Sequence, residues 1–136
     1  MTACRGIRGA TTAEANTSEA ILSATRELLT RLIERNGIDP DDVAAAFFTV
    51  GPDLDAEYPA LAARQLGWID SALLCAREIP VPDQRVPRCV RVLVLVNTTR
   101  PREAIRHVYL REAIALRPSR ADTPPVHPTG FETQAL

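Results

Sequence analysis

The sequence contains no lysine, because all 16 of its basic residues are arginine. Arginine offers a planar fork of N–H donors that matches carboxylates, so an all-arginine composition can reflect anion recognition. It can equally reflect coding bias in a GC-rich genome, and we favour that explanation for the composition as a whole. Each arginine in an apolar context is therefore interpreted separately. The net charge of −1 gives no indication of a surface for nucleic acid or anionic membranes.

Cysteine and histidine are scarce. The three cysteines, Cys4, Cys75 and Cys89, are odd in number and widely spaced, which predicts neither a disulfide framework nor a zinc site. The two histidines, His107 and His127, lie far from each other in the sequence and far from any cysteine pair, so no metal site is expected. We find no evident Ser/His/Asp arrangement and no glycine-rich phosphate loop. Nucleophilic and metal-dependent chemistry are therefore disfavoured.

Long apolar segments are also missing. The N-terminus does not resemble a signal peptide, and the longest apolar run is too short to span a membrane. With the cysteine usage, this predicts a reduced, cytoplasmic setting without a membrane partner. The chain of 136 residues is long enough for one domain. We assign that domain to residues 1–118 and expect the proline-rich segment 119–136 to be a mobile tail.

The longest β-branched apolar run, Arg88 to Asn97, predicts a strand that is buried on both faces. Arg91 interrupts this run between two valines, where a buried guanidinium needs an anionic partner. The simpler interpretation is that Arg91 points from a strand end into water or pairs with a protein carboxylate. The functional interpretation is that it is a preorganised cation that faces a ligand.

Periodicity and capping residues predict the other elements of the chain. Before the central strand, these are a strand over 1–8, a turn at 6–12, a helix from Asn16 to Gly37, a short helical turn at 39–42, a strand over 43–50, a helix from Tyr58 to Gly67 and a strand over 72–75. After the central strand, we expect a short helix over 101–107 and one or two short strands at 108–110 and 113–116. This order predicts an α+β fold in which a mixed β-sheet carries helices on one face. Because the central strand is apolar on both faces, another subunit is expected to cover the second face.

The residues suited to chemistry are arginines, one tyrosine, Glu78 and Cys75 at predicted strand ends. Arg8 lies between Gly6 and Gly9, which leave room for a ligand, although it can also be a surface arginine in a loop. The simpler interpretations of Cys75 and Glu78 are a small core residue and a solvated loop acid. Together these groups suit the binding of a small dianion. The residues alone thus predict an oligomeric domain with an anion-binding pocket.

Four stretches of the chain resemble one protein family in order and spacing. They are Arg5 to Thr12; Pro52 to Leu54 with Tyr58 to Ala60 and Arg64; Cys89 to Arg91; and Ile105 to Leu110 with Leu116 to Pro118. From about Arg5 to Pro118 the chain resembles the monofunctional bacterial chorismate mutases of the trimeric, pseudo-α/β-barrel (AroH) class. The resemblance implies a homotrimer with active sites between subunits, and a rearrangement of chorismate to prephenate that needs no cofactor.

The resemblance also implies roles for individual side chains. Arg91 would lie against the ether oxygen of the breaking bond. Arg8 and Tyr109 would hold a substrate carboxylate, and Glu78 and Cys75 would meet the ring hydroxyl. The implied substrate-binding residues, partly from the adjacent subunit and the tail, are Tyr58, Arg64, Leu74, Leu116 and Arg117.

Two other functions compete with this one. Trimeric imine/enamine deaminases have a related barrel and also bind carboxylates between subunits, although their sequence motifs are not visible in this chain. A non-catalytic sensor could use the same pocket to bind an aromatic-pathway metabolite. Loss of chorismate absorbance with prephenate as the sole product would distinguish the first function from both alternatives.

Overall fold

The structure, a computed structural model, describes residues 1–83 and 86–116. Its framework is a five-stranded sheet of β1 (Ala3–Thr12), β2 (Val43–Val50), β3 (Ala72–Arg77), β4 (Cys89–Thr98) and β5 (Val108–Tyr109). The connections contain helices α1 (Ser18–Asn36) and α2 (Ala60–Gln65) and 3-10 turns at Pro40–Asp42, Arg102–Ala104 and Arg111–Leu116. Within the described ranges, no helix is both long and apolar enough to cross a membrane. The predicted tail, 119–136, lies outside the described residues.

The strand order is β3-β2-β4-β1-β5, so the strand around Arg91 is central, as predicted. β4 pairs antiparallel with β1 and β2, whereas the outer strands β5 and β3 run parallel to those two neighbours. The predicted turn at residues 6–12 is wrong. β1 instead remains extended and pairs with β4 from Ala3–Thr98 to Thr12–Cys89.

Both helices pack on one face of this mixed sheet, which confirms the α+β prediction. The buried side chains of this face join leucines of α1 and alanines of α2 in one cluster, which includes Ile7, Leu28, Leu29, Leu32, Phe48, Ala60, Ala63, Val92, Val94 and Val96. Gly9 permits the close approach of α1, because a Cβ at this position would lie 3.0 Å from Leu32 and 3.1 Å from Leu28. Gly9 therefore serves the packing of α1 on the sheet rather than a turn.

The opposite face of the sheet, called the open face below, carries apolar side chains. In the described ranges no helix covers it other than the 3-10 turn Arg111–Leu116, which packs on its β1–β5 end. Phe47 of β2 is in register with Leu74 of β3 and with Leu93 of β4. These three side chains are 39%, 58% and 38% exposed, respectively. A contiguous apolar patch of this kind is typical of a protein contact surface. β4 is therefore apolar on both faces, as predicted, but a single chain fully buries only one of them.

Two further predictions about local structure need correction. Thr17 rather than Asn16 caps α1, since its hydroxyl accepts the Ala20 N–H at 3.1 Å. Segment 113–116 is not a strand but part of the 3-10 turn Arg111–Leu116. This turn begins at Arg111, whose φ of 54° is incompatible with an extended strand.

Candidate active site

A cavity of about 970 Å³ opens at one end of the open face. Thr49 of β2, Glu78 just after β3, and Cys89 and Arg91 of β4 form its polar side, and Val86, Pro87, Ala115 and Leu116 form an apolar wall. The central strand thus delivers Arg91 into a concave site. This arrangement brings together Arg91, Glu78 and Leu116, three of the residues predicted from the sequence.

Arg91 and Glu78 lie beside each other on the polar side of this cavity. Nε of Arg91 lies 3.8 Å from Oε1 of Glu78, and the two side chains are 23% and 34% exposed. That distance exceeds the about 2.7–2.9 Å of a charge-assisted hydrogen bond. Arg91 is thus a half-buried cation beside a carboxylate, a geometry that contains elements of both interpretations made from the sequence.

Thr49 orients the carboxylate of Glu78. Its hydroxyl donates a hydrogen bond to Glu78 Oε1 at 2.6 Å, and the Glu78 backbone N–H donates to the carbonyl of Val50 at 2.8 Å. Thr49 is in register with Arg91, so both side chains project from the open face. Thr49 is not recognisable from the sequence, because a threonine within a strand carries no distinctive signal until the β2–β4 register is known.

Asp53 fixes the entry to the central strand. Its Oδ2 accepts the backbone N–H of Arg88 at 2.8 Å, and Arg88 adopts a left-handed φ of 50°. The Nε of the Arg88 side chain donates a hydrogen bond to the carbonyl of Ala13 at 2.9 Å. These contacts hold the first residues of β4, and hence Arg91, in place.

Cys89 lines the cavity as a buried, protonated thiol. Burial raises its pKa to about 11, although the positive charge and hydrogen bonding of Arg91 partly oppose the shift. The residue belongs to a buried cluster with Ala10, Tyr109 and Ala113, against which Leu116 packs. Cys89 is consequently a packing residue at neutral pH and not a thiolate nucleophile.

Arg8 and Tyr109 project from the same face of the sheet as Arg91. Ala10 of β1 is in register with Arg91 on one side and with Tyr109 on the other. Arg8 is in register with Leu93, so Arg8 and Arg91 are diagonal neighbours on adjacent strands. Residues in such positions are usually about 7–8 Å apart. Neither Arg8 nor Tyr109 is among the described residues that line the cavity. They therefore extend the site along the open face.

The remaining predicted residues form a second group at the β3 edge of the sheet, where Leu74 and Cys75 belong to β3, Arg64 belongs to α2, which packs against β3, and Tyr58 precedes α2. Tyr58 and Leu74 are 71% and 58% exposed, and Arg64 is exposed on α2. Cys75 is in register with the core residue Phe48, so its side chain points to the helix-covered face. Burial raises the pKa of the Cys75 thiol, opposed by a hydrogen bond with the Ala60 backbone and by the charge of Arg64.

A single chain thus separates the predicted site into two groups. Cys75 and Glu78 are close in sequence but belong to opposite faces of the sheet, and Cys75 is not among the described lining residues of the cavity. Arg117 lies outside the described residues. Arg91, Glu78, Arg8 and Tyr109 share one face, whereas Tyr58, Arg64, Leu74 and Cys75 lie along one edge.

Comparisons with known proteins agree on one family. A family model described as chorismate mutase type I matches residues 4–120. The chain is 56% identical over 115 residues to chorismate mutase AroH of Thermus thermophilus, which covers 84% of this chain and 93% of that protein. It is 44% identical over 115 residues to chorismate mutase AroH of Bacillus subtilis (strain 168), with coverage of 84% and 90%.

A solved structure supports the same conclusion. The chorismate mutase from Clostridium thermocellum superposes with a TM-score of 0.80 and 46% sequence identity, covering 82% of this chain and 99% of that chain. The family model spans all of the sheet except Ala3, both helices and every described residue of the candidate site. The chain therefore belongs to the chorismate mutase type I family.

Proposed function

We propose that this protein rearranges chorismate to prephenate in the cavity that Arg91 and Glu78 share. Family membership supports the reaction. The observation that carries the mechanism is the half-buried guanidinium of Arg91, which the central strand holds at the polar side of a cavity of about 970 Å³. The rearrangement is intramolecular and needs no cofactor.

Arg91 acts on charge that develops during the reaction. As the ether C–O bond of chorismate breaks and a C–C bond forms, negative charge accumulates on the ether oxygen and positive charge on the ring. A fixed cation at that oxygen binds the transition state more tightly than the ground state, which raises kcat. The rigid position of Arg91 in β4 avoids reorganisation during the reaction.

Glu78 and the second arginine position the substrate. The carboxylate of Glu78, which Thr49 orients, accepts a hydrogen bond from the ring hydroxyl of chorismate. Arg8 and Tyr109, on the same face as Arg91, hold the side-chain carboxylate. Such clamps select the compact conformation in which the two reacting carbons meet, and the guanidinium of Arg8 supplies both charge and forked geometry.

The complete site is assembled in a homotrimer. The exposed patch of Phe47, Leu74 and Leu93 supplies an apolar surface for a neighbouring subunit. The separation of the candidate residues supports the same arrangement, since Tyr58 and Arg64 lie at the β3 edge rather than at the cavity of their own chain. In the trimer, this edge of one subunit closes the cavity of the next, beside the wall that contains Leu116.

The protein acts in the cytoplasm in this proposal. All three cysteines are free thiols, which suits a reducing compartment. Cell fractionation with an antibody to the chain would test this assignment, because recovery in the periplasmic or secreted fraction would contradict it.

The reaction is tested by following chorismate absorbance with purified protein and identifying the product by chromatography. We expect rapid loss of chorismate with prephenate as the sole product. Saturable chorismate binding without turnover would favour a sensor, and release of ammonia from an enamine substrate would favour a deaminase. Either result would contradict the proposal.

A further inference from the structure

The outer edge of β1 is only partly covered by backbone. β5 pairs with β1 at just two positions, Gly9–Val108 and Ala10–Tyr109, and the Leu110 N–H extends the ladder to the carbonyl of Ala10 at 2.9 Å. In the other direction, a continued parallel ladder would bring the N–H of Arg8 to the carbonyl of Arg106. That backbone bond is not formed, because two side chains intervene.

Asn36 at the end of α1 diverts Arg106 from the ladder. Its Nδ2 donates to the Arg106 carbonyl at 2.9 Å, and its Oδ1 accepts the Arg106 N–H at 2.8 Å. Asn36 is 3% exposed, so this pair of bonds is shielded from water. The backbone of Arg106 is thus fixed to the helix rather than to β1.

His107 replaces the missing backbone acceptor. Its Nδ1 accepts the backbone N–H of Arg8 at 3.0 Å. An imidazole nitrogen can accept a hydrogen bond only when it carries no proton, so Nδ1 of His107 is unprotonated in this arrangement. The ring joins the segment before β5 to the residue whose guanidinium extends the site along the open face.

We propose that His107 is a positioning residue for Arg8. By accepting the Arg8 N–H, it fixes the backbone from which the guanidinium reaches the substrate carboxylate. His107 contributes to substrate capture through Arg8 and needs no contact with the substrate. The inference rests on the role of Arg8 proposed above.

Three substitutions of His107 distinguish its role as a hydrogen-bond acceptor from the effect of its side-chain volume. His107→Asn places an amide oxygen near the position of Nδ1 and can accept the same N–H. His107→Gln carries its oxygen one bond farther out, and His107→Leu has no acceptor. Steady-state kinetics with chorismate would be measured for each variant, together with thermal melting and light scattering to verify folding and assembly.

We expect His107→Leu and His107→Gln to raise KM by about tenfold, the usual scale for one lost hydrogen bond, with a smaller change in kcat. His107→Asn should recover most of the loss in KM. A purely structural role would lower the melting temperature in all three variants without this ordering of KM. Folded Leu and Gln variants with the wild-type KM would overturn the inference.

Arg8→Gln distinguishes failure of this inference from failure of the proposed role of Arg8. We expect Arg8→Gln to raise KM, and addition of His107→Gln to this variant to raise it little further, because the two residues act through one contact. An unchanged KM in Arg8→Gln would refute the carboxylate role itself. Fully multiplicative effects of the two substitutions would show that His107 acts independently of Arg8 and would overturn the inference.

Discussion

At the scale of single residues, the site depends on how one carboxylate is held. Glu78 Oε1 accepts a hydrogen bond from the Thr49 hydroxyl at 2.6 Å and lies 3.8 Å from Nε of Arg91. A neutral hydroxyl can fix the direction of a carboxylate without neutralising the nearby guanidinium. Thr49 therefore orients Glu78 while the positive charge of Arg91 remains within the cavity.

Thr49→Val should lower kcat/KM by about 10- to 150-fold, because a hydrogen bond to a charged group contributes about 1.5–3 kcal/mol and valine keeps the shape of threonine. We expect most of the effect in KM, since the proposed contact of Glu78 with the ring hydroxyl is made in the ground state as well. Thr49→Ser, which keeps the hydroxyl, is the matched control. Wild-type kinetics in a folded Thr49→Val protein would show that Glu78 needs no such support.

Cys89 should make the folded state sensitive to alkali. Its pKa rises from 9.0 to about 11 on folding, so between these pH values the thiol is ionised in the unfolded chain but protonated in the folded one. The free energy of unfolding must then fall as pH rises from about 9 to 11, by up to about 2–3 kcal/mol. The contribution of Cys89 is fully retained below pH 9.

Urea unfolding of the wild type and of Cys89→Ala at several pH values between 8 and 10.5 measures this effect. The absence of lysine removes the commonest group that titrates in this range. We expect the free energy of unfolding to decline less steeply with pH in Cys89→Ala. Parallel declines in the two proteins would contradict the assignment.

The sequence revealed Arg91 but not its surroundings. An arginine between valines in an apolar strand requires a partner, and this argument needs no structure. Thr49 becomes recognisable only when strands distant in sequence are aligned. Cys75 and Glu78 seemed equivalent at one strand end, yet strand alternation directs their side chains to opposite faces.

At the scale of elements, the C-terminal end of α1 links the helical layer to the site. Gly37 has a left-handed φ of 61° and donates its N–H to the Ile33 carbonyl at 2.8 Å. The preceding residue, Asn36, holds Arg106 next to His107. The geometry of this helix end therefore also positions the segment that contacts β1.

Gly37→Ala should destabilise the protein by about 1–2 kcal/mol, because a Cβ is disfavoured in left-handed backbone. Gly37→Asn is the matched control, since asparagine tolerates this conformation better and should cost less. Chemical denaturation of the three proteins gives the ranking glycine, asparagine, alanine in decreasing stability. Equal stability of the glycine and alanine proteins would contradict the role assigned to the cap.

Elements with strong periodicity were predictable, whereas those fixed by tertiary contacts were not. The order of the long helix and of the first four strands follows from apolar spacing. The segment after Leu110 looked like a strand because it is apolar. Instead, a 3-10 turn begins at Arg111, which forms ion pairs with Glu27 of α1 at 3.0 Å and with Glu14 at 3.8 Å. No local sequence pattern predicts such contacts.

At the scale of the whole molecule, the open face and the division of the site have one explanation. Phe47 and Leu93 are exposed on adjacent strands of a single chain, and the β3-edge residues lie away from the cavity. A neighbouring subunit would cover the former and supply the latter. The sequence indicated the need for a partner from the apolar central strand, but the identity of the edge that approaches depends on quaternary geometry.

Leu93→Glu should dissociate the assembly and abolish most activity, because a carboxylate on the apolar patch cannot be buried without a partner. Ser23→Glu, on the exposed side of α1, is the charge-matched control and should retain both assembly and turnover. Light scattering and chorismate turnover would be measured at the same protein concentrations. A monomeric Leu93→Glu protein with wild-type activity would refute the inter-subunit site.

The central claim is that Arg91 stabilises charge that develops in the transition state. The most direct measurement is kcat and KM for Arg91→Gln, with light scattering to verify that the variant assembles like the wild type. We expect kcat to fall by at least two to three orders of magnitude, the usual effect of removing one preorganised electrostatic donor, which corresponds to about 3–4 kcal/mol. KM should change less, and Arg91→Lys should restore only part of the rate because it keeps the charge but loses the fork. A folded, assembled Arg91→Gln protein with near-normal kcat would show that this arginine is structural and would contradict the mechanism.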